Sequence, residues 1–177
     1  MKKQIWLDLD DFGETNNRLD WLWMLKKEFP NFKVNLFTIP NNISDAFRIY
    51  IQKLKWIKLC IHGYYHRHNE EVDYNELSAM LPIICSFAKV YRAPFWQLSD
   101  TMYKRLTKLK YKIMLHPDDK REGVKFNWNI KDSPPDLPII YGHGHIQDYP
   151  IGPKGNGIIQ AFGNIMKLPR NIEFKFL

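Results

Sequence analysis

Cysteine is scarce: only Cys60 and Cys85 occur among the 177 residues, and both lie in apolar stretches where a free thiol acts as a small buried hydrophobe. Neither has the paired spacing of a zinc ribbon, so no disulfide framework and no cysteine metal site are expected. Long apolar runs are missing as well. The longest, Ala79 to Ile84 with Pro82 inside it, falls far short of the roughly 18 residues that a membrane-spanning helix needs. At the start, Met1-Lys2-Lys3-Gln4-Ile5-Trp6-Leu7-Asp8 reaches a carboxylate before the apolar core of a secretory signal could form, so a cytoplasmic protein without membrane contact is expected. Repeats, low-complexity tracts and linkers are absent. What remains is ordinary globular composition, 45% hydrophobic and 25% charged, and at roughly 150 residues per domain a single domain over residues 1–177 is expected.

Charge is not balanced. The 26 Lys and Arg exceed the 19 Asp and Glu, for a formal charge of +7 that favours loose attraction to polyanions. The bases are scattered, from Lys26 and Lys27 through Lys53, Lys55 and Lys58 to Lys104, Arg105, Lys108, Lys110 and Lys112. Most fall on the polar faces of predicted helices or at strand entrances. Nucleic acid is therefore a possible partner but not the favoured one.

Short apolar runs bounded by turn residues, at residues 4–9, 32–38, 56–61, 88–91, 111–115, 137–141 and 172–176, read as strands. Helical spacing lies between them. Ile43, Ala46, Phe47, Tyr50, Ile51 and Leu54 recur at i, i+3, i+4, i+7, i+8 and i+11 and form one face. A further helix is predicted from Asp73, with Glu76 closing a capping box, Leu77, Leu81, Ile84 and Ala88 on one face, and a kink at Pro82. Residues 16–27 and 99–109 complete the helical set, with Ser99 suited to the N-cap. Alternating strands and helices predict βαβ units and a largely parallel sheet, open or closed into a barrel, with function at the carboxyl ends of the strands.

Polar residues at those ends single themselves out. The first strand ends in Leu7-Asp8-Leu9-Asp10-Asp11-Phe12-Gly13 and the third runs into His62-Gly63-Tyr64-Tyr65-His66. The fifth ends at His116 and the sixth in Gly142-His143-Gly144-His145. His62 and His66 are spaced so that a turn can point both imidazoles at one ion. A gluzincin would need Glu where Gly63 stands. The adjacent carboxylates Asp10 and Asp11 can divide the labour, one on an ion and one on a bound water, and burying both is costly unless a cation offsets them. An Asp-His-His set with open positions suits zinc or a similar divalent ion, which lowers the pKa of bound water to roughly 7. The glycines beside His143 and His145 would allow the backbone close to a ligand. Trp96, Tyr64 and Tyr65 could line a substrate groove or belong to the core.

In order and spacing these motifs resemble those of the polysaccharide deacetylases that carry the NodB homology domain, carbohydrate esterase family 4. Leu9-Asp10-Asp11-Phe12-Gly13 is similar to T-F-D-D-G, with an extra Phe before the glycine. His62-Gly63-Tyr64-Tyr65-His66 is similar to H-[S/T]-x-x-H, with Gly for the hydroxyl residue, and Arg92-Ala93-Pro94-Phe95 matches R-x-P-[Y/F]. Ile139-Ile140-Tyr141-Gly142-His143 is similar to the family's apolar strand ending in His. The fourth motif, an acidic residue followed by Trp, has an echo in Phe126-Asn127-Trp128, where Asn stands in place of the acid.

The resemblance implies an α/β fold, a distorted or incomplete (β/α) barrel of the NodB kind. It also implies one divalent metal ion, expected to be zinc, on Asp11, His62 and His66, with Asp10 as general base and Arg92 orienting Asp10. A backbone N–H of the Pro94-Phe95 segment would face the oxyanion, Trp96 and Tyr65 would border the substrate, and His143 or His145 would protonate the leaving amine. The implied activity is metal-dependent removal of an N-acyl group, expected to be acetyl, from an amino sugar or related amide. A metal-dependent phosphoesterase would usually call for more ligands, to bridge two ions.

Overall fold

Nine strands form one parallel sheet in the computed structural model, which describes residues 2–68, 86–147 and 158–177. In chain order the elements are β1 (Gln4–Phe12), α1 (Leu19–Glu28), β2 (Val34–Thr38), α2 (Asp45–Lys53), β3 (Ile57–Ile61), β4 (Val90–Arg92), α3 (Asp100–Lys108), β5 (Lys112–Leu115), β6 (Val124–Lys125), β7 (Trp128–Asn129), β8 (Ile139–His145), α4 (Ile158–Ile165) and β9 (Glu173–Lys175). The strand order is β6-β5-β4-β3-β2-β1-β8-β7, with β9 beside β1. The sheet curls into a half-barrel with helices against it, as the alternation and the resemblance predict. Among the described residues no helix is long and apolar enough to cross a membrane.

The two faces of the sheet carry different chemistry, because successive side chains on a strand alternate. Leu7, Leu9, Leu36, Leu59, Ile113 and Leu115 belong to the main core, together with Leu22 and Leu25 of α1, Ile51 of α2, and Met102 and Leu106 of α3. Phe37, Cys60, Val90 and Met114 form a second, smaller cluster with Leu177. Cys60 is the buried free thiol that was expected, and burial pushes its pKa up. Cys85 and the helix predicted from Asp73 lie outside the described residues, apart from Ala88, which precedes β4.

One edge of β1 is shared. Gln4 to Trp6 pair with β9, and from Asp8 onward the partner is β2. Asn35, fully buried, spans the changeover: its Nδ2 donates to the Leu7 carbonyl at 2.9 Å and its Oδ1 accepts from the Leu177 N–H at 3.1 Å. Beyond Leu9 the register slips, Leu9 standing opposite Leu36 but Phe12 opposite Thr38, so β1 carries an extra residue there.

Helix boundaries follow local hydrogen bonds. Asn16 and Asn17 stand before α1, because Asn16 Nδ2 donates to the Asp11 carbonyl at 3.1 Å and Asn17 Oδ1 accepts from the Leu19 N–H at 3.1 Å. Ser44 and Ser99 cap α2 and α3 with their hydroxyl oxygens. The core-facing stripe of α2 is narrower than predicted: Phe47, Ile51 and the flanking Ile43 and Leu54 reach the core, while Ala46 and Tyr50 are exposed. Strands β1 and β8 outrun their apolar stretches. Pairing continues through Asp8 opposite His143 and Asp10 opposite His145, because the inward positions of these strands are polar without ceasing to be strand.

Candidate active site

Strand parity places Asp8 and Asp10 on the same, inward side of β1. Asp11 would then face outward. The extra residue in the β1 register and a left-handed backbone at Asp11 (φ 64°) re-aim it, so that consecutive carboxylates serve one site. Asp8, Asp10 and Asp11 are all buried. His62 continues β3, its N–H donating to the Thr38 carbonyl at 2.8 Å, and the loop behind it is tied down where the Asn41 N–H donates to the Tyr64 carbonyl at 3.2 Å. Left-handed backbone at Gly63 (φ 62°) and His66 (φ 59°) turns that loop back, bringing the His62 and His66 rings to 4.9 Å. Glycine meets the first of these conformations without strain, whereas the non-glycine outliers Asp11, His66, Phe95 and Trp96 gather at this one site.

Asp11, His62 and His66 offer ligand atoms that all lie within 4.8 Å of one another. Asp11 Oδ1 is buried without an aligned hydrogen bond and faces Nε2 of His66 at 2.9 Å and Nε2 of His62 at 3.5 Å. Zinc bonds of about 2.0–2.2 Å set tetrahedral ligands roughly 3.4 Å apart, so these separations suit a shared ion. His62 Nδ1 lies 3.1 Å from the Arg92 carbonyl, which can only accept, so Nδ1 carries a proton and Nε2 is the atom turned to Asp11. The cluster calls for positive charge. Burial alone would raise the Asp11 carboxyl, but the close approach of His62 and His66 outweighs it and holds the carboxyl well below the usual range. Burial alone would lower the His62 pKa, but Asp10 and then Asp11 outweigh it and raise it. The residues present therefore fit a divalent cation.

Arg92, fully buried, is stacked over Phe37 at 4.1 Å and near Trp96 at 4.9 Å. The expected partnership with Asp10 is present through Nη1, but the two-pronged grip falls on Asp8, with Nη1 to Oδ1 and Nη2 to Oδ2 both at 2.8 Å. Asp8 was not among the predicted site residues. Its position two residues before Asp10 on a buried strand is the signal that could have found it. Burial would raise its carboxyl, yet Arg92 and then His143 outweigh burial and lower it to about 2. Burial would also lower the Arg92 pKa, but Asp10 and Asp8 keep it raised and the guanidinium charged.

His143 Nδ1 is 2.8 Å from Asp8 Oδ1 and 2.9 Å from Arg92 Nη1. Both hydrogens of that Nη1 are already directed at Asp8 and Asp10, so His143 Nδ1 is itself the donor to Asp8. Its Nε2 then faces Asp10 Oδ2 at 4.0 Å, while His62 Nε2 approaches the same oxygen at 3.7 Å. His145 stands opposite Asp10 in the ladder, and burial lowers its pKa against the pull of Asp10. Asp10, His143 and His145 could also hold an ion, but the Arg92 guanidinium already touches Asp10 and His143, which disfavours a cation there.

Trp96 walls the site, its ring 5.1 Å from His143 and 5.6 Å from Phe126, which itself lies 5.0 Å from His143. Phe126 was not among the predicted site residues. Phe95 is exposed at the rim, 4.8 Å from the His66 ring and stacked on His68 at 3.8 Å. Tyr65 is exposed too, against Tyr64 and under Arg67. His116 packs edge-on to Trp96 at 5.6 Å. The glycines of Gly142-His143-Gly144-His145 do not serve ligand approach as expected. A Cβ on Gly142 would lie 2.7 Å from the Trp128 indole, and one on Gly144 3.2 Å from Ile130, so they admit core side chains behind the histidines.

No family model and no curated protein sequence matches the chain. Solved structures do. A peptidoglycan N-acetylglucosamine deacetylase superposes with a TM-score of 0.65 at 17% identity, covering 99% of this chain and 86% of that one. The chitin deacetylase of Colletotrichum lindemuthianum gives 0.63 at 14% identity, over 99% and 86%. The family 4 carbohydrate esterase of Streptomyces lividans gives 0.56 at 12% identity, over 94% and 86%. The structural neighbours are thus polysaccharide and peptidoglycan deacetylases of carbohydrate esterase family 4, and this chain has their fold.

Proposed function

We propose that this protein is a metal-dependent deacetylase that removes an N-acyl group, acetyl in the first instance, from an amino sugar or related amide. The observation that carries the reading is the convergence of Asp11, His62 and His66 beside Asp10 and His143 in a largely buried, charge-rich cluster at the carboxyl ends of β1, β3 and β8. A carboxylate and two imidazoles suit zinc, which when bound would act as a Lewis acid on the acyl oxygen and make hydroxide available near neutral pH. Asp10, kept aimed by Arg92, accepts the proton of the attacking water through Oδ2. His143 donates a proton from Nε2 to the departing nitrogen; His145 is the other candidate for that step. The Phe95 N–H is the proposed donor to the oxyanion, and Trp96 and Phe126 form the wall against which the sugar lies.

The test is acetate release from N-acetylglucosamine oligomers with added zinc, beside elemental analysis. The wild type is expected to hold a stoichiometric divalent ion and to release acetate. Asp11→Ala should lose the ion. Asp10→Ala should keep it while kcat falls about 10²–10⁴-fold. A folded, metal-loaded wild type that turns over no N-acyl substrate would overturn the reading.

A further inference from the structure

We propose that Asp8 is the positioning residue for His143, an inference that rests on the deacetylase reading for its catalytic meaning but not for its geometry. Asp8 stands directly opposite His143 in the β1–β8 ladder, points inward by strand parity, and has no side-chain partner besides His143 and Arg92 among the described residues. Its Oδ1 receives the His143 Nδ1 proton at 2.8 Å. That bond fixes one tautomer, leaves Nε2 as the atom turned toward Asp10, and places a carboxylate behind the ring to stabilise the imidazolium form.

The resemblance would assign an acidic residue to the position before Trp128, and Asn127 stands there. Asn127 is occupied elsewhere, its Oδ1 accepting from the Tyr141 N–H at 2.8 Å and its Nδ2 donating to the Ile139 carbonyl at 3.1 Å. Arg92 completes the arrangement by gripping Asp8 with both prongs while also touching Asp10, so the ionised Asp8 is fixed in orientation before any substrate arrives.

Two readouts separate positioning from mere structure. The first compares an N-acetyl amide, whose leaving nitrogen needs a proton, with p-nitrophenyl acetate, whose phenolate does not. Asp8→Asn is expected to lower kcat on the amide about 10²–10⁴-fold and on the aryl ester less than about tenfold, with metal content unchanged. Equal loss on both substrates would overturn the proposal. The second is ¹⁵N NMR of the wild type, with His143 assigned by its absence in His143→Gln. The expected signature is a downfield Nδ1–H, lost in Asp8→Asn, and a proton on Nε2 alone would overturn the proposal. Because the wild-type spectrum suffices to assign the tautomer, a variant that fails to fold does not shield the proposal. Two ions per chain, one lost in His143→Gln, would make His143 a ligand and overturn it as well. If the wild type hydrolyses neither substrate, the deacetylase reading fails, while the tautomer still decides whether Asp8 holds His143.

Discussion

Asp8 shows how much one buried carboxylate can set. Its carboxyl titrates at about 2 in the fold against an ordinary value of 3.8, a depressed pKa. The stabilisation it gives is therefore complete above 3.8 and is lost as the pH falls through about 2. In metal-free protein the thermal midpoint should drop across that interval, and Asp8→Asn should flatten the drop. A slope that the substitution leaves unchanged would refute this account. At this scale the sequence was informative where residues come as recognisable pairs, as with His62 and His66 or Asp10 and Asp11. Asp8 was harder to pick out, because its one signal, the two-residue spacing to Asp10, becomes meaningful only once both are known to lie on a buried strand and share its inward face.

Elements carry the second lesson. Alternation of apolar runs and helical spacing sufficed to find the main strands and, with the residue type, the cap at Ser99, whereas the cap at Ser44 came only with the structure. The extra residue in β1 was not legible, because a bulge is defined by the partner strand and β2 contributes its register only after pairing. The two-residue strands β6 and β7 were likewise below any periodicity. Glycines in β8 and α4 offer a paired test of the packing argument. Gly142→Ala pushes a methyl against the Trp128 indole and is expected to destabilise by about 1–3 kcal/mol in urea unfolding. Gly163→Ala meets open space on an exposed helical position and should stabilise by about 0.5–1 kcal/mol. The same substitution giving the same sign at both sites would contradict the assigned environments.

Across the whole molecule, chain segments far apart in sequence close on β1. β8 follows it along its length, β9 and β2 divide its other edge, and Asn35 fastens the junction between them. None of this long-range pairing has a local signature, whereas the parallel order of the sheet followed from the alternation of elements. A strand so flanked opens only when the sheet as a whole does, so the amides of β1 are expected to exchange with solvent at the rate of global unfolding. Hydrogen exchange resolved by residue checks this, and faster exchange at Leu7 or Leu9 than at Leu36 would count against it.

The shared grip of Arg92 on Asp8 and Asp10 has a further consequence for adaptation. One guanidinium steadies both Asp10, the proposed base, and Asp8, the partner of the proposed acid His143, so neither half can drift independently. If the proposed deacetylation is right, tuning it toward a poorer or better leaving group would demand concerted replacements on both sides of that cation. A lineage exploring new substrates should vary the aromatic wall long before it touches the charged triad behind it.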